Sequence, residues 1–339
     1  MYIVKKFKLE AKNLAPVVSL VALIVGAAAV IPGFLTLSIV DGNIQGSPIN
    51  ILHRATPMLL VALGMALVIS TKGIDLSVGA IIAICGAVTA VLTVNTDLSP
   101  WAVMGCALLA GMLCGLWNGV LVTVFGIQPI IATLVLMVAG RGIAQMITGG
   151  QIVTFHSDFF NAVGNGYFAG LPLRVVIAAG IVATTVLVLR KTALGLFFEA
   201  VGANSESSRL MGIDSRLLIL SAYIFSGFCS AMAGIIIAAD IRGADANNAG
   251  LWLELDAILA VVIAGASLSG GRIYLLLTVV GVIIIQTLTT AILSSGLTPQ
   301  YNLVIKATII IFVLLIQSSK TQSFIKSRLF KVRRASRVQ

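Results

Sequence analysis

A chain of 339 residues with a mean hydropathy of +1.09 and only 10% charged side chains cannot cover itself against water. Soluble domains carry about 25% charged residues, so most of its solvent must be lipid. The net charge of +10 would suit a nucleic-acid binder, but where the Lys and Arg residues fall makes it a topology signal instead, with no nucleic-acid partner implied.

In chain order, the basic start (Lys5, Lys6, Lys8, Lys12) leads into an apolar run over 14–36. A helix crosses a bilayer in about 20 residues. No small-residue cleavage pattern follows the run, so it reads as a retained first span rather than a secretory signal. Further spans are expected at 51–70, 76–95, 100–125, 129–148, 172–189, 217–239, 256–270, 273–293 and 302–318. Continuous apolar runs exclude a barrel. The expected fold class is an all-α membrane protein, a polytopic bundle of about ten transmembrane helices. Threaded this way, one face receives 17 of the 22 Lys and Arg residues, including Lys72, Arg190, Lys191, Arg209, Arg216, Arg272 and the seven of the tail. That bias places both termini in the cytoplasm. The expected organisation is a cytoplasmic start at 1–13, a transmembrane body at 14–318 and a basic cytoplasmic tail at 319–339.

Several interruptions stand out. Gly111, Gly115 and Gly119 in "GMLCGLWNG", and Gly227, Ala231, Gly234 and Ala238 in "SGFCSAMAGIIIA", put small residues on one helix face, where backbones can approach closely. "ISTKGIDLSVGA", with Asp75, and "AGASLSGGR" are Gly/Ser breaks carrying one basic residue each, Lys72 and Arg272, and read as a weak internal repeat. Gly-interrupted, undersized segments line the route through many transporters. Arg141 falls near mid-depth of the fifth span, either as a pore-lining group or as a buried partner to an acid such as Asp75. Lys306, early in the tenth span, can snorkel outward. His53 and His156 stand alone near the outer face. Cys85, Cys106, Cys114 and Cys229 sit inside apolar runs without disulfide or zinc spacing. GxxxxGK[ST], HExxH and GxSxG are absent, so the chain is expected to be no enzyme and to move a solute.

The longest inner loop, 190–216, reads "RKTALGLFFEAVGANSESSRLMGIDSR". It holds a short helical pattern over 200–211 flanked by Gly195, Gly202 and Gly212. A solvated connector has no need of Leu196, Phe197 and Phe198, whereas a docking helix would present them to a partner.

"G-FFEAVGANSESSRLMGI" followed by "SGFCSAMAGI" resembles the coupling loop and next helix of the ribose-type sugar permeases of ABC importers. "KGIDLSVGA" resembles that family's GGIDLSVG signature, with Lys72 where the family has Gly. "AGRGIAQMITGGQ" and "ELDAILAVVIAGASLSGGR" match two further segments, in the family's order, and the likeness runs from Ile51 to Lys306. "AADIRGADANNAGLWLELDA" is closer to the galactofuranose members than to the ribose or arabinose ones. The resemblance implies half of a bacterial inner-membrane importer, paired with a homologous second permease. A cytoplasmic ATPase with two nucleotide-binding units would supply ATP and Mg sites, leaving no cofactor in this chain, and a periplasmic sugar-binding protein would deliver the solute. It carries Gly195, Phe198, Glu199, Gly202, Asn204, Arg209 and Gly212 over as ATPase-coupling positions. Arg141 and the outer segment 240–256 are carried over as motif positions. In that segment Asp245, Asn247, Asn248 and Glu254 suit sugar hydroxyls, Trp252 suits a ring face, and Asp256 adds a further acid. An ion-coupled secondary transporter using Arg141, Asp75 or His53 is the alternative. It fits less well, because Arg141 alone stands at mid-membrane with no acid in a span interior. A channel would have no use for the coupling-type loop.

Overall fold

The computed structural model describes residues 11–296 apart from 41, and five positions between 304 and 311. The expected tenth span, Lys306 and the basic tail lie outside the described residues or almost so. Among the residues described through Gly296, twelve helices follow one another: α1 Ala11–Val30, α2 Ser47–Ser70, α3 Val78–Asn95, α4 Pro100–Thr123, α5 Pro129–Thr148, α6 Asp158–Asn165, α7 Leu173–Lys191, α8 Leu194–Ala203, α9 Ser205–Leu210, α10 Ser215–Ile241, α11 Leu253–Ile263 and α12 Leu275–Ser294. Seven of them (α2, α3, α4, α5, α7, α10 and α12) are long and apolar enough to cross a membrane. The apolar part of α1 is shorter, Leu14–Val30. α11 has only 11 residues, about half a crossing, where the sequence gives an undersized span over 256–270 interrupted by "AGASLSGGR".

Helices α2, α3 and α10 form the centre: 78% of the apolar window of α2 is buried, against 11% for α7. The reason is the small-residue faces. A Cβ at Gly115 would lie 2.3 Å from Tyr223 O, one at Gly227 2.2 Å from Gly111 O, and one at Gly234 2.6 Å from Ile82 O. Helices α4 and α3 therefore meet α10 backbone against backbone, as happens where lipid provides no hydrophobic drive for association.

The described residues also hold three two-stranded antiparallel ribbons: β1 Leu37–Val40 with β2 Asn43–Gly46, β4 Tyr167–Phe168 with β5 Leu171–Pro172, and β3 Val153–Thr154 with β6 Gly243–Ala244. The last pairs Val153 with Ala244 and Thr154 with Gly243, tying the end of α5 to the end of α10. Nearby, Arg174 Nη1 lies 3.2 Å from Asp240 Oδ2, with the Arg174 side chain only 3% exposed. His53 of α2 is in contact with the same guanidinium, so it is not isolated as its sequence position suggests. All four cysteines are free.

Replacing Gly115 with Leu forces α4 off α10 and is expected to cost about 1–3 kcal/mol through overpacking. Gly105→Leu, on the same helix with nothing within 4 Å of its Cβ, should leave the thermal midpoint in detergent unchanged.

Candidate functional site

The helix expected over 200–211 is two helices. Asn204 breaks it: its Oδ1 accepts hydrogen bonds from Glu206 N (3.1 Å) and Ser207 N (3.0 Å) and caps α9. A short amide side chain competes with the helix for those N–H groups. Phe198, expected on the docking face, is instead buried with Leu67, Val201 and Tyr223. What the loop does present is Leu196, Leu210 and Met211, 68%, 84% and 81% exposed, with Arg209 exposed beside them. Gly212, with φ +85°, turns the chain from α9 towards α10. A Cβ at Gly195 would meet Leu189 O at 2.3 Å, so the turn from α7 into α8 is equally tight.

Helix α8 is wedged against both Gly/Ser breaks. A Cβ at Gly202 would lie 1.8 Å from Ser70 O and 2.7 Å from Gly271 N. Gly271 N donates to Ser70 O (3.0 Å), and Glu199 Oε1 accepts from Ile273 N (3.2 Å). Lys72 Nζ donates to Ala203 O (3.1 Å) at the C-terminal end of α8, where a cation complements the helix dipole. Lys72 has φ +67°, a conformation glycine adopts freely and other L-residues reach at roughly 1–2 kcal/mol. The two breaks that read as a repeat thus meet at one junction, through α8.

The segment after α10 enters the bundle rather than staying outside it. Arg141 is 12 residues into the 20-residue α5, about 18 Å along it. There Arg141 Nη1 donates to Ala249 O (2.6 Å) and Ala246 O (3.1 Å). One turn further on the same face, Gln145 Nε2 donates to Asn247 Oδ1 (2.7 Å). Asp245 closes the turn, accepting from Asn248 Nδ2 (2.7 Å), Asn247 N (3.0 Å) and Asn248 N (3.1 Å). The Asn248 side-chain amide first, then those backbone N–H groups and Arg141, hold the Asp245 carboxyl below the ordinary carboxylate range. Gly250, with φ +71°, lies so close to α3 that a Cβ there would come within 2.7 Å of Gly79 O. Trp252, also left-handed at φ 65° and 57% exposed, precedes α11.

Arg141 therefore does not pair with Asp75. Asp75 is fully buried in the α2–α3 connection, accepting from Ser77 and Ser226. A buried acid does lie beside α3: Glu254 is 4% exposed in the first turn of the short α11, and a Cβ at Gly79 would lie 2.6 Å from its Oε2. Asp256, on the same helix, is half-buried. Sequence reasoning missed Gln145, Gly79 and Gly250. The i, i+4 spacing of Arg141 and Gln145 was the available signal.

Two wedged loops joined by half a helix, inside a bundle of apolar helices, are the parts of a multi-pass membrane permease. The chain belongs to the family described as branched-chain amino acid transport system / permease component, whose profile matches residues 47–314. It is a non-catalytic membrane component. It is 53% identical to the galactofuranose transporter permease protein YtfT of Escherichia coli K12, over 91% of this chain and 90% of that one. The fructose import permease protein FruF of Bifidobacterium longum is 38% identical over 88% of this chain and 84% of its own length. The ribose import permease protein RbsC of Escherichia coli K12 is 33% identical over 94% and 97%. No solved structure matches.

Arg141→Met is expected to free the Ala246–Ala249 turn, at about 1.5 kcal/mol per lost charged hydrogen bond. An Asn248→Cys reporter should then react faster with maleimide, and Arg141→Lys should slow it again.

Proposed function

We propose that this chain is one membrane half of an ATP-driven importer that brings a monosaccharide, galactofuranose, across the bacterial inner membrane. The observation that carries the reading is the α8 wedge. Helix α8 closes on the α2–α3 and α11–α12 connections at Gly202, while the neighbouring Leu196, Leu210 and Met211 stay exposed to receive a partner. A cytoplasmic ATPase with two nucleotide-binding units is the partner that fits, since the chain has no P-loop of its own and needs no cofactor. A homologous second permease would complete the pathway, and a periplasmic sugar-binding protein would deliver the solute. The chain would cross the membrane about ten times within 14–318, with its start (1–13) and its basic tail (319–339) in the cytoplasm, as the Lys and Arg bias favours. The 53% identity to a galactofuranose permease, against 38% and 33% to fructose and ribose permeases, supports the sugar.

In this reading α8 transmits the ATPase stroke through Glu199, Gly202 and Lys72 to α11, and α11 moves the turn held by Arg141. Asn247, Asn248 and Trp252 are exposed there, and amides with an aromatic face suit sugar hydroxyls and a ring. Selectivity would rest mainly with the binding protein.

Gly202→Val should lower ATP-dependent galactofuranose uptake by about 5- to 150-fold, the span of a 1–3 kcal/mol coupling, with the protein still in the membrane. Unchanged uptake would remove α8 from the coupling path, and uptake abolished by an ionophore but not by ATP depletion would make the chain an ion-coupled carrier. Asp245→Ala with Glu254→Ala should depress uptake while leaving basal ATPase activity of the complex intact; normal uptake would make the 240–256 stretch purely structural.

A further inference from the structure

Asp75 is 0% exposed, and among the described residues no Lys, Arg or His lies within ion-pair distance of it. Its Oδ1 accepts from Ser77 N (3.1 Å) and Ser77 Oγ (2.6 Å), and its Oδ2 from Ser226 Oγ (2.8 Å). Ser77 Oγ in turn accepts from Asn118 Nδ2 (2.8 Å). Two more oxygens on residues beside this cluster have no protein hydrogen-bond partner, Asn118 Oδ1 and the Tyr223 hydroxyl, and both residues are 0% exposed. The Tyr223 hydroxyl lies beside Gly73, two residues from Asp75, where a Cβ would come within 2.6 Å of it.

The charge balance is unfinished. The N-terminus of α3 offsets a buried carboxylate by about half a unit charge, and apolar surroundings penalise what is left. The capacity still unfilled is mostly oxygen lone pairs: one on Asp75 Oδ2, those of the two serine hydroxyls, the Asn118 carbonyl and the Tyr223 oxygen. An all-oxygen donor set selects a hard cation. A single carboxylate suits a single positive charge, and among the described residues no group of three His, Cys, Asp or Glu side chains exists to hold a multivalent metal.

We propose that Asp75, Ser77, Asn118, Tyr223 and Ser226 form a binding site for a monovalent alkali cation, locking the α2–α3 connection to α4 and α10 next to the α8 junction. The site goes beyond the importer reading and is tested by stability, not by transport, so either idea can fail alone. The full-length chain, with whatever subunits co-purify, is placed in lipid nanodiscs and melted in NaCl, KCl and choline chloride at equal ionic strength and pH. The expected result is a midpoint several degrees higher in one of the alkali salts than in choline, rising with its concentration as a ligand of the folded state requires. Asp75→Asn should abolish that dependence, and the milder Ser226→Ala and Asn118→Ala should shift it to concentrations about tenfold higher, the effect of one lost ligand. Equal midpoints in all three salts would overturn the site, leaving the carboxyl to a proton or a water. A salt effect undiminished in Ser226→Ala, Asn118→Ala and Asp75→Asn would overturn it equally, by placing the cation elsewhere.

Discussion

In hydrocarbon every backbone N–H and C=O must find its partner inside the protein, so a chain can break a helix only where another part of the molecule supplies one. The breaks on either side of α11 obey this rule. At one end the carbonyls of Ala246 and Ala249 are taken by Arg141. At the other, the Gly271 N–H is taken by the Ser70 carbonyl, which α8 also approaches at Gly202. The 11 residues between form a strut of about 16 Å. It links the α8 junction to the level of Arg141 without crossing the bundle.

Close approach is what gives the strut its lever. Gly202 leaves no room for a Cβ, so α8 cannot move without displacing Ser70 and Gly271. Lys72 and Glu199 add hydrogen bonds on either side of that contact. Its opposite number is the α4–α10 seam, where Gly111, Gly115 and Gly227 bring two backbones together with no room for a Cβ between them. Interiors packed at this density switch between discrete arrangements rather than bend. A fixed centre with a movable strut is a geometry that can pass a displacement from one face of a membrane towards the other.

The apolar runs disclosed most helices, because span length and composition are local properties. The undersized segment at α11 is equally legible, its charge-free stretch broken by "AGASLSGGR"; only its end falls earlier than the hydropathy places it, at Ile263. The 200–211 helix was lost because one Asn side chain outweighed a favourable pattern. Phe198 looked like a docking residue because sequence does not show what covers it, which is the core around Leu67 and Tyr223. Pairings were the least legible layer. Arg174 meets Asp240 and His53 across 66 and 121 residues, and Arg141 reaches Ala246 across 105. No periodicity encodes such distances. The two Gly/Ser breaks were visible as similar motifs, but only the fold puts them on one helix.

The packing of Gly202 on Ser70 and Gly271 requires α8 and the two breaks to keep their separation during transport. The direct measurement is the distance between spin labels at Met211 and Leu268, both exposed and on opposite sides of the junction, in the assembled transporter with and without ATP. One narrow distance that does not change with nucleotide is expected, while a second pair, Met211 and Asn248, shifts. A Met211–Leu268 distance that changes with ATP in a transport-competent complex would contradict it.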